Sequence, residues 1–519
     1  MADQGAAAAI AAGYATEAGA IELGTVVVDG VADPTARVRL PFATLNRHGL
    51  VAGATGTGKT KTLQAMAEQC SANGIPVLLA DIKGDLSGLA RPGEPSDRVA
   101  ERAAETGDDW APTAYPVQFL SLGPGIGVPV RATITAFGPI LLAKVLGLNA
   151  TQESTLGLIF HWADQQGLAL LDTKDLRSVI AHLLSDEGKA ELKGIGGVSA
   201  ATAGVILRAL VNLEARGGEQ FFGEPEFDPA DLLVVKPDGR GRVTLLELAD
   251  QQADPTLYST FLMWLLAELF EDLPEVGDIG KPELVFFFDE AHLLFTDASK
   301  AFLDRIEQTV KLIRSKGVGV FFCTQQPTDV PNDVLSQLGA RVQHALRAFT
   351  PDDQKALTRT ARTYPRSEVY DIEESLTTLG TGEAIVTVLS ERGAPTPVAW
   401  TRLRAPRSLM AAIGEPAVTE AARASPLWGR YGQGIDRESA YERLSARTGA
   451  TSAPGTPPAE PVPPQQAPHE APPQAPPPTE DEGPGFFEKA MANPMVRSFL
   501  RSAGREISRG LFGTARRRR

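Results

Sequence analysis

Only two cysteines, Cys70 and Cys323, occur in the 519 residues, and they stand far apart. That leaves no disulfide framework and no paired-thiolate metal knuckle, and it suits a reducing compartment. The six histidines are scattered, with no ligand spacing among them. No apolar run approaches the ~18 residues of a spanning helix. Positive charge is in deficit: 50 Lys and Arg against 64 Asp and Glu give a net charge of −14. This excludes a broad electrostatic coat over nucleic acid, while leaving room for a local basic channel or pore. The Ala-rich start, MADQGAAAAIAAGYATEAGA, has Asp3 where an export signal needs positive charge. Residues 1–21 therefore read as a flexible leader of a cytoplasmic protein. No internal repeat is present.

What is there is patterned. The length exceeds what one hydrophobic core usually serves, so more than one folded unit is expected. Residues 22–40 alternate like short strands. From residue 49 the text runs strand (GLVAG), Gly-rich loop (ATGTGKT), helix (KTLQAMAEQCSANG) and strand (IPVLLAD). Both strands are short unbroken apolar runs, the mark of a parallel sheet buried on two faces. Further strand candidates lie within 116–136. Residues 139–218 carry Leu and Ala at three- and four-residue spacing and read as an all-helical insertion. Sheet character returns with GRVTLLELA, then a helix, the strand ELVFFFDE, a helix over 299–316, and the strands VGVFFCTQ and RVQHALRAF. Strands alternating with helices imply a doubly wound α/β sheet, with one half at 22–138 and the other at 219–410. A helical extension is expected at 411–452. Residues 453–485 hold 13 of the 39 prolines and read as a disordered tether. The final segment, 486–519, has nine basic and two acidic residues. Arg497, Arg501, Arg505 and Arg509 recur every fourth position there, as a stripe on a basic amphipathic helix.

Two motifs carry chemistry. Gly53-Ala54-Thr55-Gly56-Thr57-Gly58-Lys59-Thr60, followed by Lys61, fits G-x-x-x-x-G-K-[ST] in full. Its glycines let backbone N–H groups converge on phosphate oxygens, Lys59 would reach the β- and γ-phosphates of ATP, and Thr60 would hold Mg²⁺. The second is LVFFFDEAH, residues 284–292, where five apolar residues deliver Asp289 and Glu290 at a strand end. Asp289 would serve Mg²⁺ through water, and Glu290 would polarise the attacking water. The strand VGVFFCTQ, expected between these two, ends in Thr324 and Gln325, the latter placed to touch the γ-phosphate or the lytic water. The letters DEAH also name a class of RNA helicases. Such enzymes carry a Ser-Ala-Thr turn and a Q-x-x-G-R-x-G-R helix beyond that point, and neither follows residue 292. His292 then reads as the start of the next helix.

The set GATGTGKT, VFFFDEAH, IRSKGVGVFFCTQQP and DVLSQLGARVQHALR resembles the HerA-like branch of the FtsK/HerA P-loop ATPases. VAGATGTGKTKTLQ with LLADIKGDLSGLA resembles the bacterial YjgR-type group within it. The resemblance, over about residues 22–410, implies a RecA-like core with strand order 5-1-4-3-2 and an ATPase whose subunits form hexameric rings and hydrolyse ATP at their interfaces. Better-studied members pump or process double-stranded DNA. It places Arg314 where relatives carry an arginine acting across the subunit interface, with Arg341 and Arg347 as weaker candidates. Asp81, Lys83 and Asp85 match a turn near the nucleotide. The β-barrel that precedes the core in better-known members does not fit in the ~50 residues before the P-loop.

Three functions remain open on these grounds: a DNA translocase or helicase, an ATPase motor acting on a protein or membrane surface through residues 486–519, and a non-catalytic nucleotide-binding scaffold. The presence of Lys59, Thr60, Asp289 and Glu290 together weighs against the last.

Overall fold

Apolar runs without alternation bury a strand on both faces, and the middle of the sheet is made of them. The computed structural model describes residues 2–447 except 193, 195, 216, 249–254, 278 and 297; the Pro-rich stretch and the basic tail lie outside the described residues. In chain order the strands are β1 (Ala20–Val28), β2 (Val31–Pro41), β3 (Gly49–Ala52), β4 (Val77–Asp81), β5 (Val117–Leu122) and β6 (Val128–Val130). They continue with β7 (Val243–Glu247), β8 (Leu284–Phe288), β9 (Val318–Thr324), β10 (Ala340–Gln343), β11 (Glu383–Thr387) and β12 (Ala399–Leu403). Every residue of β3, β4, β7, β8 and β9 is buried.

The twelve strands form one sheet in the order β2-β1-β12-β11-β10-β3-β9-β8-β4-β7-β5-β6. Pairing is parallel from β10 through to β6. It is antiparallel from β10 through β11, β12 and β1 to β2. The five strands β10-β3-β9-β8-β4, numbered by their order in the chain, run 5-1-4-3-2. That is the order the family resemblance implies, with β9 between β3 and β8. Sequence reading did not single out β11 and β12, which are short and sit on the antiparallel flank.

Helix α1 (Ala2–Ala12) precedes β1, α2 (Lys59–Ala72) follows the Gly-rich loop, and α3 (Asp97–Thr106) lies between β4 and β5. Between β6 and β7 come α4 (Ile134–Val145), α5 (Ala150–Gln165), α6 (Thr173–Leu184), α7 (Asp186–Glu191) and α8 (Ala200–Ala215). Their boundaries are set locally: Asn149 and Asp172 close capping boxes at the starts of α5 and α6. Helices α9 (Pro255–Asp272), α10 (His292–Phe295) and α11 (Lys300–Ile313) then flank β8 and β9. α4 packs on both α9 and α11. Among the described residues, no helix is long and apolar enough to cross a membrane.

The N-terminal segment corrects one expectation. Residues 1–21 were expected to be flexible, yet α1 buries Ala7 and Ile10, and Tyr14 just beyond it is buried as well. The Tyr14 hydroxyl lies 2.8 Å from the Val386 carbonyl and 2.6 Å from that of Pro397. Alanine favours helix by itself, and the apolar side of this helix finds the β1–β2 hairpin as its partner.

His48, just before β3, clips the sheet to its helical layer. Its Nδ1 accepts the Val320 N–H at 3.1 Å, and its Nε2 faces the Val310 carbonyl at 2.8 Å. Burial pushes its pKa down to about 4, helped by the nearby Arg314 charge. The folded chain thus keeps His48 neutral, while the unfolded chain protonates it near its ordinary value of about 6.5. Stability from this site is full above that value and is lost as pH falls toward 4, by about 2 kcal/mol between pH 7 and pH 5. In thermal melts at pH 7 and pH 5, His48→Leu should be less stable throughout, with a smaller difference between the two pH values than wild type.

Candidate functional site

The register of the sheet brings the motif residues to one edge. Ala52 at the end of β3 pairs with Thr324 on β9 and with Gln343 on β10. Phe288 pairs with Phe322, and Phe287 with Leu79, so Asp289 stands level with Cys323 and with Asp81. Asp81 in turn pairs with Glu247.

The Gly-rich loop is held from below by β9, β10 and the approach to β11. Gly53 N–H donates to the Thr324 carbonyl (3.2 Å), Ala54 N–H to that of Ala345 (2.8 Å), and Gly382 N–H to that of Thr57 (3.0 Å). Gly53 has φ +152°, and a Cβ there would lie 2.5 Å from the Cβ of His344, so only glycine fits. Gly58, at φ +111°, turns the chain into α2. Lys59 is buried and folds back over the loop, its Nζ donating to the carbonyls of Gly53 (2.5 Å) and Ala54 (3.3 Å). Thr60 and Lys61 follow in the first turn of α2, half-buried.

His344 is a site residue that sequence reading missed. It is fully buried beneath the loop, with Nε2 2.9 Å from Thr62 Oγ1. Burial, then the charge on Lys59, push its pKa down to about 4, so it adds no second cation below the loop. The only sequence signal is a polar residue where RVQHALR would otherwise continue apolar.

Asp289 and Glu290 place two carboxylates side by side. Burial, and then the charge of Glu290, hold the Asp289 carboxyl above its usual range; the Cys323 thiol, the Glu290 N–H (2.9 Å) and Lys83 oppose that shift. Glu290 adopts a left-handed backbone, φ +47°, which is uncommon for a residue with a side chain and clusters at functional sites. Its Oε1 lies 3.4 Å from Lys83 Nζ, and its Oε2 lies 3.4 Å from His292 Nδ1. His292 does start α10.

The turn after β4 divides its labour. Asp81 accepts the N–H groups of Gly84 (2.8 Å), Asp85 (3.3 Å) and Leu86 (2.8 Å), shaping the loop. Burial pushes its pKa to about 6. Lys83 meets Glu290, while the charges of Asp85 and Asp81 act on Lys61, whose pKa burial lowers. The turn thus touches both motifs.

On β9, Thr324 is spent internally, donating to Asp329 Oδ2 at 2.6 Å. Gln325 is exposed. It lines a cleft of about 210 Å³ with Ala54, Thr55, Arg347 and Phe349, and a neighbouring groove with His292 and Thr296. Lys144, buried on α4, donates to the Thr296 carbonyl and lies 5.8 Å over the ring of Phe302. Arg314 and Arg341 are elsewhere: Arg314 ends α11 ahead of β9, and Arg341 is at the start of β10. β9 spans roughly 20 Å, so Arg314 stands at the edge of the sheet remote from its own P-loop.

Among the described residues, no group of three or more His, Cys, Asp and Glu could hold a metal alone. Mg²⁺ usually takes one or two protein oxygens and completes its shell with water and phosphate. The hydroxyl of Thr60 and the buried carboxylate of Asp289, raised in pKa beside a like charge, fit that requirement.

A family model, Helicase HerA-like C-terminal, matches residues 28–519. DNA double-strand break repair helicase HerA from Sulfurisphaera tokodaii (strain DSM 16993 / JCM 10545 / NBRC 100140 / 7) is 26% identical over 165 residues, covering 31% of this chain and 32% of that protein. The chain therefore matches about a third of the length of this curated relative. Among solved structures, the bacterial conjugative coupling protein TrwBdeltaN70 in its unbound monoclinic form aligns with a TM-score of 0.50 at 16% identity, over 78% of this chain and 93% of that one. Plasmid coupling protein TrwB in complex with the non-hydrolysable GTP analogue GDPNP aligns with a TM-score of 0.50 at 15% identity, over 76% and 98%. At such identities the likeness establishes a shared fold. With the family model running across nearly the whole chain, and a 5-1-4-3-2 sheet carrying a complete P-loop, the chain belongs to the Helicase HerA-like C-terminal family.

Proposed function

We propose that the chain is an ATP-hydrolysing motor of the HerA type. The observation that carries this reading is the convergence, on one edge of the sheet, of the P-loop with the adjacent carboxylates Asp289 and Glu290. In this reading the backbone N–H groups of residues 53–60 receive the phosphates, and Lys59 leaves its loop carbonyls to reach the β- and γ-phosphates. Mg²⁺, held by Thr60 and Asp289, supplies charge neutralisation on the phosphates. Glu290 orients the attacking water and draws its proton, with Lys83 and His292 on either side of its carboxylate. Gln325 touches the γ-phosphate or that water from the groove it shares with Thr55.

The polymer in this proposal is double-stranded DNA, in keeping with the helicase named among the relatives, and the assembly is a homo-oligomeric ring, most simply a hexamer. Arg314 supports the ring. It is too far from its own P-loop to serve it, so it acts on the nucleotide of a neighbouring subunit. A head-to-tail contact that closes would bring the two edges together. Two buried free thiols, Cys70 and Cys323, suit a cytoplasmic setting.

Lys59→Ala should lose ATP binding in a nucleotide titration. Glu290→Gln should still bind ATP, with turnover down about a hundredfold or more; wild-type turnover in that variant would place the base elsewhere. Arg314→Ala should be inactive alone and recover activity when mixed with Lys59→Ala subunits under exchange, since one variant supplies the P-loop and the other the arginine. ATP turnover measured with and without duplex DNA, on protein of known oligomeric state, tests the polymer. Stimulation is expected, and its absence in an assembled ring would refute DNA as the substrate.

A further inference from the structure

The edge of the sheet opposite the P-loop holds a cleft of about 500 Å³, formed where β3, β9 and β10 begin. Arg47, Lys311, Arg314 and Arg341 line it, and no carboxylate does. Elsewhere in this acidic chain, arginines stand against acids. Arg402 meets Glu105 and Glu383, and Arg404 and Arg407 both meet Asp108. Four cations gathered without a lining carboxylate repel one another, and an anion among them would offset that cost.

The cations are also held in place. Arg47 Nε is buried with no hydrogen-bond partner, so this donor is desolvated and unsatisfied. A Cβ at Gly393 would come within 2.7 Å of Arg47 Nη1, so the guanidinium packs directly on that glycine. Arg341 is fixed by donating from Nη1 to Thr363 Oγ1 at 2.7 Å. His48 forms part of the wall and stays neutral there.

The volume falls within the usual range of small-ligand sites, about 300–1,000 Å³. Guanidinium forks match phosphate oxygens pairwise, and several cations around one cleft suit a chain of phosphates better than a single carboxylate. We infer that this cleft is a second polyphosphate-binding site, separate from the P-loop, in which Arg47, Lys311 and Arg341 hold the anion together with Arg314. The phosphates come either from a nucleotide seated on the P-loop of a neighbouring copy or from a free nucleotide or polyphosphate. Only the first source rests on the ring motor proposed above.

The test uses full-length Lys59→Ala protein, so that the P-loop no longer competes, and sodium tripolyphosphate as the probe. Calorimetric titration should show saturable binding near one per chain, with a rise in melting temperature as the probe is added. Replacing Arg47 and Arg341 by Met should weaken binding at least tenfold, and Lys311→Glu, a milder surface change, should weaken it several-fold. Because these changes relieve repulsion, the melting temperature without probe should not fall. Absence of saturable binding, or binding unchanged in both variants, overturns the inference. Turnover then separates the sources. In a background with Lys59 intact, the Arg47→Met, Arg341→Met variant should lose turnover and regain it on mixing with Lys59→Ala subunits if the phosphates are a neighbour's. It should keep turnover while failing to bind tripolyphosphate if they are free. Failure of the motor reading would appear separately, as wild-type protein that does not hydrolyse ATP.

Discussion

The close passage of residue 53 over His344 is the constraint on which the nucleotide edge depends. A phosphate-receiving loop must present backbone N–H groups outward, and it can do so only if its own carbonyls are engaged beneath it. Here the support is the end of β10, continued through Ala345 and Gly382, and it admits the loop only because residue 53 has no Cβ. The neutrality of His344 matters as well. Placed below Lys59, a charged imidazole would repel the lysine, and burial prevents it from charging.

A second tension lies two strands away. Asp289 and Glu290 set like charges together in a mostly buried position, and the chain pays for this with a left-handed residue and a raised carboxyl. Lys83 and His292 answer from two different elements, one on the turn that Asp81 shapes and the other on the first turn of α10. The same turn bears on Lys61, so the P-loop and the carboxylates are linked electrostatically through residues 81–85.

Much of the fold was legible in the sequence because its signals are local. Unbroken apolar runs such as VFFF and VGVFFC announce buried parallel strands, and a complete G-x-x-x-x-G-K-T before a helix carries its own context. The partners were not legible. Lys83 meets Glu290 across more than two hundred residues of chain, and His344 reaches Gly53 only because β10 lies beside β3. The basic cleft gathers residues from 47 to 341, which no window of sequence would join. The leader shows the same limit. Its alanines announce helix, but nothing local says that Tyr14 will reach the carbonyls of Val386 and Pro397.

The helices inserted between β6 and β7 look removable on paper. They leave the sheet from its outermost strand and return two strands inward, and none of the five central strands lies within that detour. Lys144 argues otherwise. Its ammonium ends on the carbonyl of Thr296, the residue directly after α10, whose first residue faces Glu290. Excising the detour would strip a cation from that carbonyl and bare the faces of α9 and α11 on which α4 rests. The segment that is most separable as text is thus a strut of the machinery, and a push on its helices arrives within one short helix of the water-facing carboxylate.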